Sequence, residues 1–334
     1  MSELSAAVAS FAGPDVDQRT SMDELKARLS GLLQFLPVER PVVYLDYPVH
    51  LNFGDLLIMR GTEQFFSDCG HTVTARAAYM NFCDSRQRRI TRDTIIVMHG
   101  GGNFGDLYPV HQRFREQIVR RFPGNRIVIL PQSVYFSSSA ALEQSAEVFR
   151  AHQDVVLCLR DHASIHRVGR RFTPNTVLMP DMAQQLWRGH DGDSLSTDRT
   201  LELMRRDLEM SQEQNQPGIG SNAKDWLDFT PRWACRIYGR ILGLHELEGR
   251  YGHRLGAQPL WYEYCRLLHA HMERRFRDYD RVVTSRLHGM IFAALLGKPV
   301  QYLDNTYGKL TGYAKTWFDN SVRAQPSARA AVVD

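Results

Sequence analysis

Short apolar runs and longer amphipathic stretches alternate along the first half of the chain. The apolar runs, each of four or five residues, lie at 41–45, 94–98, 126–130, 155–159 and 176–179. Stretches with apolar residues at helical spacing lie at 22–36, 56–69, 111–121, 140–151 and 163–170. Strands that alternate with helices of this length predict a parallel sheet with helices on both faces.

A second block with the same alternation follows a polar stretch of Gly, Asp and Ser. Its strands are predicted at 200–204, 281–284 and 300–303, and its helices at 226–247, 260–277 and 290–296. We therefore predict an α/β protein made of two facing, Rossmann-like, doubly wound domains. The predicted boundaries are an N-terminal tail and helix at 1–36, domains at 37–188 and 198–320, and a disordered tail at 321–334.

Composition narrows the class of protein. The 334 residues are enough for two cores, and a net charge of +4 is too small to predict nucleic-acid binding. Five scattered cysteines without CxxC spacing favour reduced thiols in the cytoplasm and argue against a zinc site. No apolar run could span a bilayer and no signal peptide is visible, so we expect a soluble or peripheral protein.

Arginines cluster at 86–89 and again at 167–171. Solvated helix faces are the simpler interpretation of both clusters. A weak attraction to anionic lipid headgroups is the alternative that the sequence leaves open.

The tetrapeptide Asn-Phe-Gly-Asp occurs twice, at 52–55 and 103–106, each time between a predicted strand and a predicted helix. Such strand ends line the ligand crevice of a doubly wound sheet, and Asn and Asp can bind sugar hydroxyls. Helix capping by Asp55 and Asp106 is the structural alternative. The repeat, together with three glycines at 100–102 for which packing gives no obvious need, favours function. Neither a P-loop nor a dinucleotide fingerprint is present.

The sequence Ser-Arg-Leu-His-Gly at 285–289 lies directly after an apolar strand and directly before an apolar helix. Arg286 offers a planar fork of donors for phosphate or carboxylate, and His288 can transfer a proton near neutral pH. Arg160, at the end of the strand 155–159, is a third anchor for an anion. A surface ion pair beside a helix capped by Asp161 explains Arg160 equally well.

Taken together, these motifs resemble those of the polysaccharide pyruvyl transferase family, over about residues 40–315. The matching residues are Asn52, Gly54 and Asp55, the loop 99–106, Leu130-Pro-Gln-Ser133, Arg160-Asp161 with Ser164, Met179-Pro-Asp181, residues 285–289, Gly297-Lys-Pro-Val300 and Asp304-Asn with Tyr307-Gly-Lys309. The resemblance implies a glycosyltransferase-B-like fold, with phosphoenolpyruvate as the donor. It also implies a sugar of a bacterial exopolysaccharide or surface polysaccharide as the acceptor, and a pyruvate ketal and phosphate as the products.

The resemblance and the chemistry of the motifs together assign roles to individual residues. The donor-binding residues, in the C-terminal domain except for Arg160, are Arg160, Arg286, Leu287, His288, Gly289 and Lys309. The acceptor-binding residues, in the N-terminal domain, are Asn52, Asp55, His99, Asn103, Asp106 and His111. In catalysis, we expect His288 to be the general acid beside Arg286, and Asp55 or Asp106 to accept the proton of the attacking hydroxyl.

No cofactor beyond phosphoenolpyruvate as co-substrate and no metal site is predicted, and the metal requirement is left open. The resemblance implies a lipid-linked acceptor and peripheral association with the cytoplasmic face of the inner membrane. Two alternatives remain. One is a nucleotide-sugar-dependent glycosyltransferase, in which Asp304 would read the ribose, and the other is a non-catalytic sugar-binding scaffold.

Overall fold

The computed structural model describes residues 16–189, 198–206, 223–252, 255–304, 308–318 and 324–326. The first fifteen residues lie outside this description. So do most of the predicted interdomain connection and, apart from 324–326, the predicted disordered tail at 321–334.

Strands and helices alternate along the described chain. The strands are β1 (Val42–Leu45), β2 (Val73–Ala77), β3 (Ile95–Met98), β4 (Gly101–Gly105), β5 (Ile127–Tyr135), β6 (Val155–Leu159), β7 (Asn175–Leu178), β8 (Thr200–Leu203), β9 (Arg281–Thr284), β10 (Val300–Tyr302) and β11 (Ala324–Pro326). The α-helices are α1 (Val16–Arg28), α2 (Phe53–Cys69), α3 (Asp84–Gln87), α4 (Pro109–Arg121), α5 (Ser139–Arg150), α6 (His162–Val168), α7 (Trp226–Phe229), α8 (Arg232–Tyr251), α9 (Ala257–Arg277), α10 (Leu287–Leu295) and α11 (Lys309–Trp317). Short 3₁₀ segments lie at Leu29–Gln34, Tyr79–Asn81 and Met182–Leu186.

The first sheet is parallel, with strand order β2-β1-β3-β5-β6-β7. Strand β4 pairs with the C-terminal half of β5. Strands β1, β3 and β6 are buried along their whole length, as expected for a sheet covered on both faces. The strand order runs outward in both directions from β1 and β3, which is the doubly wound arrangement. In such sheets the ligand crevice lies outside the carboxyl ends of the two strands at the switch point.

The glycine-rich run differs from the prediction, because Gly101–Gly105 is strand β4 rather than a loop. Gly105 has φ +125°, and a Cβ there would lie 1.6 Å from the carbonyl oxygen of Tyr135. A Cβ on Gly100 would lie 2.9 Å from the oxygen of Pro131. The expectation that packing does not need the glycines at 100–102 is therefore wrong for Gly100, and Gly105 is required because β4 approaches β5 too closely there for a side chain.

The second sheet contains β8, β9, β10 and β11, all parallel and adjacent in chain order. It is Rossmann-like in its strand–helix alternation. Among the described residues, however, its strand order does not reverse, so the predicted double winding is found in the first sheet alone. Helix α10 packs against β9 and β10, and a Cβ on Gly289 would lie 2.5 Å from Thr284 Oγ1 and 2.8 Å from Leu203 Cδ2.

The described chain divides into two compact units. The first unit contains residues 27–185 and 231–268, and the second unit contains the rest. Helix α8 and most of α9 thus belong to the same unit as the first sheet, whereas the sequence assigned them to a domain at 198–320. Long-range contacts explain the difference. The indole of Trp261 donates to the carbonyl of Pro48 (2.8 Å), and Arg86 forms a buried ion pair with Glu248.

Candidate active site

The residue that follows β1, Asp46, is buried and has a left-handed backbone (φ +56°). Side chains other than glycine rarely adopt this conformation, and when they do they cluster at functional sites. Asp46 was not among the site residues predicted from the sequence. Its position directly after a buried strand at the switch point was the available signal.

Two side chains of α4 bind the two carboxylate oxygens of Asp46. His111 Nδ1 lies 2.7 Å from Oδ1, and Arg115 Nη2 donates to Oδ2 at 2.8 Å. His111 and Arg115 are four residues apart, so they lie on the same helix face one turn from each other. The carboxylate therefore fixes the ring of His111, which the sequence predicted at the acceptor.

Arg115 also links Asp46 to β4, because it donates to the carbonyl oxygen of Asn103 (2.9 Å) and to its side-chain oxygen (2.6 Å). Burial alone would raise the pKa of Asp46. The charge of Arg115 and the hydrogen bond from His111 outweigh it, so that the pKa is lowered and the carboxylate stays ionised. The buried charge of Arg115 is in turn met by Asp46, as a buried cation requires.

The first Asn-Phe-Gly-Asp copy builds the start of α2. Asn52 is the N-cap: its side-chain oxygen accepts from Gly54 N (3.2 Å), and its amide donates to Asp55 Oδ2 (2.9 Å). His50 Nδ1 accepts from Asn52 N (3.3 Å), so the neutral ring carries its proton on Nε2, 3.6 Å from Asp55. Burial lowers the pKa of His50 despite the charge of Asp55. Asn52 and Asp55 thus both lie at the predicted crevice.

His99, directly after β3, is buried against the same cluster. Its Nδ1 lies 2.5 Å from the hydroxyl of Tyr44, and its Nε2 has no hydrogen-bond partner within the described part of the chain. Burial lowers the pKa of His99 to about 4, although the charges of Asp55 and Asp46 oppose the shift. His99 is therefore neutral at pH 7, with one ring nitrogen able to serve a ligand.

The second Asn-Phe-Gly-Asp copy is not equivalent to the first. Asn103 lies within β4, and α4 begins only at Pro109, so Asp106 does not cap a helix. Both carboxylate oxygens of Asp106 instead accept the backbone N–H of Ser137 (2.9 Å each), and the Ser137 hydroxyl donates to one of them. The two copies share a sequence but hold different positions in the fold.

Arg160 is completely buried, in contrast to the surface ion pair considered from the sequence. Its guanidinium donates to Asp181 (2.6 Å) and to the hydroxyl of Ser133 (2.9 Å). Asp161 accepts from Ser164 N (2.7 Å) and so caps α6, as the alternative interpretation expected. The charge of Arg160 is therefore already matched inside the first unit.

In the second unit, the turn after β9 is fixed by hydrogen bonds to β8. Thr284 Oγ1 donates to the carbonyl of Leu203 (2.7 Å), and Ser285 Oγ accepts from Arg205 N (2.9 Å). Arg286 is the N-cap residue of α10, and its guanidinium forms a two-point contact with Asp225 (Nε–Oδ1 2.7 Å, Nη2–Oδ2 2.5 Å). Asp225, which orients the side chain of Arg286, was not predicted from the sequence.

The other predicted donor residues of the second unit follow Arg286 along the chain. Leu287 is buried, and His288 is half-buried in the first turn of α10, where the helix N-terminus is positive. Lys309 is the first residue of α11. Asp304 accepts from Leu310 N (2.9 Å) and Thr311 N (3.0 Å), so both of its oxygens hold the start of α11.

The structure thus gathers Asn52, Asp55, His99, Asn103 and His111 around Asp46 in the first unit, with Asp106 to one side. It gathers Arg286, Leu287, His288 and Gly289 in the second unit. Within the described ranges, no three His, Cys, Asp or Glu side chains form a set that could hold a metal ion. None of the described helices is long and apolar enough to cross a membrane.

Comparison with known proteins identifies the family. Residues 52–307 match the family model for polysaccharide pyruvyl transferase. The chain is 38% identical over 305 residues to a Bacillus subtilis protein named "Putative pyruvyl transferase EpsO", which covers 91% of this chain and 94% of that protein. It is 27% identical to "Pyruvyl transferase 1" of Schizosaccharomyces pombe, over 83% of this chain and 70% of that one.

The fold is also similar to that of a solved structure. An uncharacterized Klebsiella pneumoniae protein superposes with a TM-score of 0.59 at 20% identity, over 91% of this chain and 99% of the other. At that identity the similarity supports the fold alone. The family match and the relatives together show that the chain belongs to the polysaccharide pyruvyl transferase family and is an enzyme of pyruvyl transfer.

Proposed function

We propose that the enzyme takes phosphoenolpyruvate as donor and forms a pyruvate ketal on two hydroxyls of a polysaccharide sugar, with release of phosphate. The observation that carries the proposal is the turn at 285–289. It presents an arginine oriented by Asp225 and a histidine together at the N-terminus of α10. A cation, a proton donor and a helix N-terminus suit a small donor that carries both a phosphate and a carboxylate.

The reaction requires one proton transfer to carbon and two attacks at the same carbon. A general acid protonates the methylene carbon of phosphoenolpyruvate, and the resulting cationic C2 accepts the first sugar hydroxyl. The C2–O bond to phosphate then breaks, and the second hydroxyl closes the ketal. The base takes up the proton of an attacking hydroxyl and releases it to solvent, from which the acid is restored. Over one turnover, one of the two hydroxyl protons thus replaces the proton given to carbon and the other leaves with phosphate, so that atoms and charges balance.

His288 is the general acid of this proposal, and Arg286 binds the anionic donor. Leu287 and Gly289 shape the turn, and Lys309 adds a second cation for the donor. Arg160 is assigned a positioning role instead of the direct donor contact expected from the sequence. The reason is that its guanidinium, which holds Asp181 and Ser133, is completely buried, whereas that of Arg286 is partly exposed.

On the acceptor side, His111 is the base that receives the hydroxyl proton. Its Nδ1 is bound to the ionised Asp46, which orients the ring. Asp55, with Asn52, binds a neighbouring hydroxyl, and His99 offers its Nε2 to the same sugar. Asp106 is less suited to act as base than the sequence indicated, since Ser137 occupies both of its oxygens.

A nucleotide-sugar-dependent glycosyltransferase is the competing activity. Its ribose would need an acidic reader, and Asp304 was the sequence candidate. Both oxygens of Asp304 accept backbone N–H groups of α11, which favours a capping role for this residue. A lipid-linked acceptor at the cytoplasmic face of the inner membrane, and facing glycosyltransferase-B-like domains, remain part of the proposal.

The proposal is tested by incubating the protein with phosphoenolpyruvate and a panel of simple glycosides. We expect phosphate release that depends on the glycoside, together with a mass gain of one ketal on the sugar. A matched series with nucleotide sugars should give no transfer. Transfer from a nucleotide sugar without phosphate release from phosphoenolpyruvate would favour the competing activity.

A further inference from the structure

Helix α8 exposes large apolar side chains along one face. Trp233 is 44% exposed, Ile237 39%, Leu247 43% and Tyr251 60%. At 100° per residue these four positions fall on one side of the helix. The buried residues of the helix, Ala234, Ile241, His245 and Glu248, lie about a quarter-turn from this strip and pack against the rest of the first unit.

Arginines accompany this apolar strip. Arg232, Arg236 and Arg240 are exposed at intervals of four, and Arg250 lies near the other end of the helix. No ion pair involves the first three within the part of the chain that the structure describes, and no acidic residue occurs between 232 and 245. The face therefore combines unpaired positive charge with apolar surface, which a merely solvated helix does not need.

Three members of the two arginine clusters singled out from the sequence already have partners. Arg86 is buried on Glu248, and Arg89 donates to the carbonyl of Thr74. Arg167 lies over the ring of Tyr135 (5.7 Å). The arginines of α8 instead lie on the same helix as a strip of exposed apolar side chains.

We propose that the exposed face of α8, defined by Trp233, Ile237, Leu247, Tyr251 and the flanking arginines, docks on an anionic phospholipid bilayer. Apolar and aromatic side chains enter the boundary between headgroups and acyl chains, and arginines bind the headgroup phosphates. Charge complementarity selects this partner, because a neutral bilayer or an apolar protein would leave the arginines unmatched. Docking of this face on a bilayer does not require any particular donor or acceptor in the active site.

The chain contains a natural reporter for this contact. Trp233 is the most exposed of its five tryptophans, since Trp187, Trp226 and Trp261 are almost fully buried and Trp317 is 9% exposed. The full-length protein is mixed with vesicles of phosphatidylcholine and phosphatidylglycerol, or with phosphatidylcholine vesicles alone. We expect co-sedimentation and quenching of Trp233 by brominated acyl chains with the anionic vesicles, both weakened by added salt.

The variant Arg236→Glu with Arg240→Glu tests the surface. Vesicle affinity should fall by more than about tenfold, since each basic side chain near the surface contributes to binding. The matched control is Arg88→Glu with Arg89→Glu, which makes the same change of net charge at exposed positions outside α8. The control should bind nearly as the unaltered protein does, and Trp233→Ser should also weaken binding.

Equal loss in both double variants would overturn the proposal, because net charge alone would then account for the binding. Equal binding to neutral vesicles, or an unquenched Trp233, would do the same. If the α8 variant instead abolished a dimer seen by sedimentation and left vesicle binding unchanged, the face would be an interface between copies. Pyruvyl transfer to a soluble glycoside serves as a separate readout, which the α8 variants should leave unchanged.

Discussion

One carboxylate, that of Asp46, organises the polar cluster at the carboxyl ends of β1 and β3. It lies at the carboxyl end of β1 in a left-handed conformation and receives both His111 and Arg115. Holding a buried anion and a strained backbone costs stability, and here Arg115 and the ring of His111 offset the cost. The arrangement resembles the general pattern of a histidine base oriented through Nδ1 by a buried acid.

Asp46→Asn should lower kcat by about 10- to 100-fold, with a smaller change in KM for phosphoenolpyruvate, because His111 loses its orienting charge. It should also lower the free energy of unfolding by about 3 kcal/mol, since Arg115 keeps a buried charge without its partner. Steady-state kinetics and urea unfolding measure the two effects. Asp154→Asn, at the more exposed pair with Arg126, is the control and should cost less than about 1 kcal/mol. An unchanged kcat in Asp46→Asn would remove Asp46 from the mechanism.

From the burial of His99 we predict how the free energy of unfolding depends on pH. The pKa of this histidine is about 4 in the folded protein and ordinarily about 6.5, so between these values the unfolded chain binds the additional proton. Its contribution to stability is fully present above pH 6.5 and is lost as the pH falls to 4, by up to about 3 kcal/mol. Unfolding curves from pH 7 to 4 should show a shallower decline in His99→Gln. Parallel declines in the two proteins would contradict the assignment.

The sequence singled out Asn52, Asp55, His99 and Asn103 because they belong to local motifs at strand ends, and the structure places them near Asp46. Asp46 and Arg115 were not predicted, because they come together only when α4 packs beside the end of β1. The sequence also could not show that Asp106 binds Ser137 or that Arg160 is buried with Asp181, since both pairings are tertiary.

At the scale of elements, the packing of α10 on the second sheet depends on a glycine. Gly289→Ala should destabilise the protein by about 1–3 kcal/mol, because its Cβ would press on Thr284 and Leu203. Gly312→Ala in α11 is the control. No atom lies within 4 Å of its added Cβ, and alanine should stabilise that helix by about 0.5–1 kcal/mol. Opposite signs in thermal unfolding are expected, and a neutral Gly289→Ala would refute the close contact.

Each strand that is rich in β-branched residues could be predicted from its own sequence, as for β3, β5, β6 and β9. Strand β4 could not, because glycine is depleted in strands and a run of glycines is typical of a loop. The backbone of Tyr135 explains the strand, since only glycine allows β4 to approach it at Gly105.

In the molecule as a whole, α8 and most of α9 belong to the first unit although they follow β8, the first strand of the second sheet. The contact that explains this lies between Arg86 and Glu248, 162 residues apart, and no local pattern could have indicated it. Glu248 also accepts from Leu255 N and Ala257 N, which ties the start of α9 to α8.

Glu248→Ala should therefore lower the free energy of unfolding by about 3–5 kcal/mol, since it leaves the buried Arg86 without its counter-charge. Glu246→Ala, an exposed position on the same helix, is the control and should stay within about 0.5 kcal/mol. Denaturant unfolding measures both. A similar small effect in the two variants would mean that the ion pair does not hold α8 to the first unit.

The proposed reaction begins with protonation of the methylene carbon of phosphoenolpyruvate and ends with a ketal on the sugar. Both steps are recorded in the mass spectrum of the glycoside after reaction with phosphoenolpyruvate in D₂O. We expect a glycoside that carries one pyruvate ketal with one deuterium in its methyl group, and no such product with His288→Ala. A ketal without deuterium, or an unaltered yield in His288→Ala with its fold intact, would contradict the proposed reaction.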